Sequence, residues 1–360
     1  MKKEGKIYID ELKKKSVGER PIYPAEVLEN ILKRNEYLTE ALELQERANN
    51  FILSLGKTFG IEPVSPKKTQ KKLHEKSLRN FSRKMNRESN PKIFIALAGP
   101  GGAGKDTVFE NAEKELSNGG LSVVRINKFT TRDSSRPGAY HFRKDIDELH
   151  GELGDLFVTE DEVDRLRKYL RIDTKNILSL SHLKEIQTKI DEEGSDFTEW
   201  NIELHPDRTS LVEYLYRRHR GWYATDGKEI INNLSNNDLA VITGNPQNLV
   251  KMISWVNRKP DHNIVPTMVY VLPAYPSQFS SAARALARDG IQQTDRDLLS
   301  TTGTRQTDEM GIFVDLVIKG SIQTDNLIVL ENDQLVSDPI KTGRVETLAG
   351  HQLAETILGI

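Results

Sequence analysis

The chain has 360 residues, 37% apolar and 29% charged, with a formal net charge of −2. That length predicts two or three domains, and the surplus polarity predicts some solvated helix or linker. The absence of cysteine excludes a disulfide framework, a cysteine metal site and a thiol nucleophile. The longest apolar run, Ile93 to Ala98, is too short to cross a bilayer, and the Met1-Lys2-Lys3-Glu4-Gly5-Lys6 start lacks the apolar stretch of a secretory signal. A cytoplasmic protein without membrane contact is expected.

Residues 1–61 read as an N-terminal helical extension. From Ala25 to Leu55, Val27, Leu28, Ile31, Leu32, Leu38, Leu42, Phe51, Ile52 and Leu55 recur at roughly helical spacing, after Pro24 and before Gly56. Such a stripe packs on the body of the protein, on a second copy or on a protein partner. Pro63 and Pro66 then open residues 62–91, which read as a basic linker. Between Lys67 and Lys92, ten Lys or Arg stand against Glu75 and Glu88, a local +8 that leaves −10 for the rest of the chain. The block reads as a solvated linker or helix face, or as a contact for nucleic acid or an acidic partner. Phe81 is its single aromatic residue, so no base-stacking platform is interleaved.

From Lys92 the pattern alternates. Ile93–Ala98 reads as a parallel strand covered on both faces, 107–116 as a helix and 121–126 as a strand. Further strands are expected at 238–243, 268–272 and 312–318, with helices at 246–257 and 276–288. The fold class is therefore α/β, a phosphate-loop kinase-type parallel sheet flanked by helices. Residues 92–143 and 221–360 make its two parts, the second with a lid and a C-terminal helix. The stretch 144–220, with helical periodicity at 162–170, 177–190 and 211–217, reads as a helical insertion carrying an acceptor-binding region.

Gly99-Pro100-Gly101-Gly102-Ala103-Gly104-Lys105-Asp106-Thr107 lies between an expected strand and an expected helix, the setting of a phosphate loop. Its four glycines let consecutive backbone amides point inward and form an anion-binding nest. The following helix adds positive charge at its N-terminus, and Lys105 is placed to reach the outer phosphates of ATP. Asp106 stands where this motif normally has Ser or Thr to meet magnesium. Asp106 and Thr107 are thus the candidate ligands for Mg²⁺, with the carboxylate either meeting the metal or turned from the phosphates.

Beyond the loop the chain resembles guanylate kinase over residues 92–330. Thr130-Thr131-Arg132, Arg136 and Gly138 are similar to that family's acceptor-phosphate segment, which implies that Arg132 and Arg136 clamp a monophosphate. Tyr140-His141-Phe142 resembles a further phosphate-binding motif, implicating Tyr140, although the connecting loop is shorter here. Phe197-Thr198-Glu199-Trp200 resembles the segment whose glutamate reads the guanine edge, implicating Glu199. Gly221-Trp222-Tyr223-Ala224-Thr225 is similar to another acceptor motif, implicating Tyr223, here about twenty residues further along than in the family. Where the family has two aspartates, this chain has Thr243 and Asn245. Thr267–Pro273 resembles the next strand, and Arg284, Arg288 and Arg296 are candidate arginine fingers of the lid. Phe313–Ile318 is similar to the family's last strand.

These features predict transfer of the terminal phosphoryl group of ATP to a nucleoside monophosphate, GMP or dGMP. Two alternatives stay open: a guanylate-kinase-like protein-interaction module with weak or lost catalysis, favoured by Thr243 and Asn245, and a kinase of another small phosphorylated molecule such as a ribose phosphate.

Overall fold

The computed structural model describes residues 35–131, 140–142, 144–145, 147–148, 161, 181, 184–185, 188, 200–203, 211–215, 221–225, 227–257, 263–273, 296–332 and 347–359. A five-stranded parallel sheet flanked by helices confirms the α/β class. Its strands are β1 (Lys92–Ala98), β2 (Val123–Arg125), β8 (Leu239–Thr243), β9 (Ile264–Pro273) and β10 (Leu327–Asn332), in the order β10-β9-β1-β8-β2. β1 and β10 both run parallel to β9, pairing Ala98 with Tyr270 and Asn332 with Pro273. Covered strands need apolar residues on both faces, and Ile93 to Ala98 and Leu327 to Leu330 are buried without alternation.

The described residues divide into two compact units. The first contains β1, β9, β10 and the helices α1 (Asn35–Thr58), α2 (Pro66–Met85), α3 (Lys105–Asn118), α5 (Pro246–Asn257), α6 (Arg296–Ile318) and α7 (Leu348–Leu358). The second holds a small sheet of order β4-β3-β7-β6-β5, made of β3 (Lys128–Thr130), β4 (Tyr140–Phe142), β5 (Trp200–Glu203), β6 (Leu211–Leu215) and β7 (Gly221–Thr225). It also holds α4 (Gly227–Asn236).

Four expectations are corrected. Residues 62–91 are not a linker: Ser65 caps α2, accepting from the Lys68 amide, and Pro66 occupies its first turn. Its stripe Thr69, Gln70, Leu73, His74, Ser77 and Phe81 is buried, while Lys67, Lys68, Lys71 and Lys72 stay outside it. This helix covers the edge strand β10, whose outward amides would otherwise lack partners. Val329 N–H donates to Ser77 Oγ (2.9 Å) and Glu331 N–H donates to His74 Nδ1 (3.0 Å). With Nδ1 accepting, the His74 proton sits on Nε2 and is donated to Gln352 Oε1 at 2.7 Å.

Residues 312–318 are the last turns of α6, not a strand. Met310, Phe313, Val314 and Val317 are buried at spacings of three, one and three, a helical stripe that an isolated apolar run conceals. The terminal strand is β10 instead. Residues 211–217, expected as helix, contribute the strand β6, which pairs antiparallel with β5 and β7, so the insertion is not wholly helical. Gly56 does not end the N-terminal helix: α1 continues to Thr58, and an added Cβ at Gly56 would strike Thr69 Cγ2 on α2. That glycine is a spacer between two helices. The predicted helix 276–288 and the Pro24 start lie outside the described residues. Among the described residues no helix is long and apolar enough to cross a membrane.

Candidate functional site

The first unit carries the glycine-rich loop 99–104 at the carboxyl end of β1. Gly99 leaves the strand with φ +149, and an added Cβ would stand 2.6 Å from the Val271 carbonyl oxygen of β9. Only a residue without Cβ lets the chain turn this tightly against the neighbouring strand. Ala103 N–H donates to Pro100 O at 3.1 Å, closing the turn, and Gly102 and Gly104 have φ +76 and +82. Gly104 then caps α3, its carbonyl accepting from Val108 N–H at 2.9 Å.

The amides of the first turn of α3 have no acceptor within the helix, and the helix dipole concentrates positive charge there. Lys105, Asp106 and Thr107 open that turn and are half-buried. The Lys105 side chain makes no ion pair among the described residues. Asn111 Nδ2 donates to Thr107 O at 2.7 Å, tying the second turn to the first.

Two side-chain amides grip the outside of the loop, and nothing in the motif announces them. Gln306 on α6, 3% exposed, donates from Nε2 to Gly101 O through a short hydrogen bond. Asn332, the last residue of β10, donates from Nδ2 to Ala103 O at 2.8 Å. These two bonds fix the 101–102 and 103–104 peptide planes of the loop. α6 is itself fixed on β9, where Phe313 stacks on Tyr270 with ring centroids 3.6 Å apart and planes 5° apart. Burial, and then the charge of Glu309, push the Tyr270 phenol well above its usual pKa.

Beside β1, Gly244 N–H donates to Leu97 O at 3.2 Å, which brings the residue after β8 next to the loop. Asn245 Oδ1 accepts from Asn248 N–H at 2.8 Å and so caps α5. The Asn245 amide nitrogen is buried without a partner. Asn245 therefore serves this chain as a helix cap.

In the second unit, Tyr223 on β7 is 4% exposed and lies opposite Thr130 of β3, while β4 brings Tyr140 beside Lys128. Thr131 binds β7 twice: its N–H donates to Trp222 O at 3.0 Å and its Oγ1 accepts from Trp222 N–H at 2.8 Å. The small sheet thus gathers Tyr140, Tyr223 and the threonines that precede Arg132. Arg132, Arg136, Glu199, Arg284 and Arg288 lie outside the described residues. Arg296 is the first residue of α6.

No family model matches the chain, and no curated protein matches it. Among solved structures, a guanylate kinase from Anaplasma phagocytophilum is similar over 76% of this chain and 98% of its own, with 12% identity and a TM-score of 0.27.

Proposed function

We propose that this protein binds ATP on the 99–107 loop and transfers its terminal phosphoryl group to a nucleoside monophosphate, with GMP or dGMP as the acceptor. The observation that carries the reading is the strand–loop–helix geometry: glycines with positive φ at 99, 102 and 104, then Lys105 at the amino end of a 14-residue helix. Such transfer needs two anions held in line with their repulsion offset, and little covalent chemistry from the protein. The loop amides and Lys105 hold the donor. Arg132, Arg136, Tyr140 and Tyr223 are assigned to the acceptor phosphate, Glu199 to the guanine edge, and Arg284, Arg288 and Arg296 to the transferring group.

Asp106 and Thr107 offer hard oxygen donors at the exit of the loop, a set that suits magnesium. A magnesium ion there would offset the charge of the β- and γ-phosphates. A coupled assay across a panel of monophosphates tests the reading; turnover of GMP or dGMP is expected. Intact ATP binding without turnover of any monophosphate would remove the transferase.

One observation favours an interaction module instead: Asn245 is spent on capping α5, and no carboxylate occupies that position. ATP titration of wild type against Lys105→Ala separates the two readings. Equally weak binding by both proteins would support the module.

A further inference from the structure

We propose that the N-terminal helices α1 and α2 are structural parts of the nucleotide site, setting the shape of the phosphate loop through the side-chain amides of Gln306 and Asn332. The proposal rests on the phosphate-loop reading above and gives residues 35–85 a role in it.

Two chains of contact within the first unit lead from the extension to the loop. Along one, α1 packs on α6, and its residues Leu44, Ala48, Ile52 and Leu55 are buried on one face. The approach is close: an added Cβ at Gly311 of α6 would stand 2.8 Å from the Phe51 ring of α1. Arg47 reaches Asp308 at 2.5 Å across the same contact, with both groups about half exposed. Between one and two turns before Gly311, and two residues before Asp308, the same helix presents Gln306 to Gly101 O. Along the other, α2 holds the edge of β10 through Ser77 and His74, and β10 ends in Asn332, whose amide holds Ala103 O. His74 binds the Glu331 amide, immediately before Asn332.

A loop of glycines has many accessible conformations, and an anion nest needs its peptide planes turned one way. Backbone bonding within the loop closes the Pro100–Ala103 turn. The two amides hold the 101–102 and 103–104 peptide planes by donating to their carbonyls, and in a trans peptide that turns the Gly102 and Gly104 N–H groups the opposite way. Both donors come from elements that α1 and α2 cover. Gln306 and Asn332 are accordingly positioning residues: they touch the loop's backbone, and the loop touches the phosphates.

The experiment uses the full-length protein and inorganic tripolyphosphate as probe, with binding by calorimetry and thermal unfolding measured in parallel. Gln306→Met keeps the volume and removes the donor, and Asn332→Ala removes the donor of the other contact. Each is expected to weaken tripolyphosphate binding about tenfold, the worth of one positioned hydrogen bond, while remaining folded at the assay temperature. Gly311→Ala, which changes no residue of the loop, is expected to weaken binding in the same direction by pushing α6 from α1, and Phe51→Leu added to it should restore affinity. Binding within twofold of wild type for both donor variants would overturn the proposal, as would losses that appear only where the protein is already unfolding. Should Gly311→Ala fail to fold, the two donor variants decide the question. A wild type that ignores tripolyphosphate would instead remove the phosphate-loop reading itself.

Discussion

Replacing Gly99 with alanine tests whether the loop is pressed against the sheet. Two terms add. An L residue held at a φ of +149 costs about 1–3 kcal/mol. The new methyl would also stand 2.6 Å from the Val271 carbonyl oxygen and 3.4 Å from its carbonyl carbon. That oxygen belongs to the backbone of the interior strand β9 and cannot rotate away like a side chain, so the loop must move by several tenths of an ångström, at roughly 1–3 kcal/mol for overpacking. The chain contains its own control. Gly120 has φ +89, and a methyl added there would meet nothing within 4 Å, so Gly120→Ala carries the conformational term alone. Urea unfolding of the two variants should therefore differ by about 1–3 kcal/mol, with Gly99→Ala the less stable. Tripolyphosphate titration should show that Gly99→Ala loses at least about tenfold in affinity, equivalent to about 1.4 kcal/mol, while Gly120→Ala binds as wild type. Equal destabilisation of the two variants, with affinity intact in both, would refute the close approach of loop and strand.

Three more outcomes are expected. Lys105→Ala should lower ATP affinity about tenfold to a hundredfold, the range for losing a charge-assisted contact of about 1.5–3 kcal/mol, as read by calorimetry. Phe81→Ala, at a side chain 1% exposed on α2, should cost about 3–5 kcal/mol in denaturant unfolding; a residue in a solvated linker would cost nothing measurable. His351 meets Glu115 at 2.7 Å and Glu355 at 3.1 Å, and the hydrogen bond to Glu115 chiefly raises its pKa above 6.5. A raised pKa means that this stabilisation is complete below pH 6.5 and fades as the pH climbs through the folded-state value. Wild type should lose stability relative to His351→Gln across that rise, by well under about 1 kcal/mol because the pair is half exposed. A difference that is flat with pH would show that the ion pair contributes nothing.

The loop was legible because its chemistry is local. Its glycines, lysine and flanking apolar strand are consecutive, and the backbone conformations they permit are properties of single residues. Pro246–Asn257 was legible as a helix for the same reason, its own consecutive residues, whereas the capping role of Asn245 came only with the structure. Where two periods fit equally well, local pattern misled. Phe313–Ile318 is apolar enough for a buried strand, and only its continuity with the residues upstream, where Gly311 lies against Phe51 of α1, makes it the end of α6. The basic stretch 67–87 concealed its buried side because the lysines outnumber the apolar residues, and its inward face is partly polar: Gln70, His74 and Ser77 are buried by bonding to strand backbone.

Taken alone, then, the residue order determined the α/β alternation and the position of the glycine-rich loop between β1 and α3. Tertiary structure decided which side chains hold that loop in shape. Gln306 and Asn332 stand 205 and 229 residues along the chain from the carbonyls they hold. A side-chain amide carries no signal of its partner, since any exposed carbonyl accepts its hydrogen bond equally well. Only the packing of α6 and β10, each covered by an N-terminal helix, selects Gly101 and Ala103.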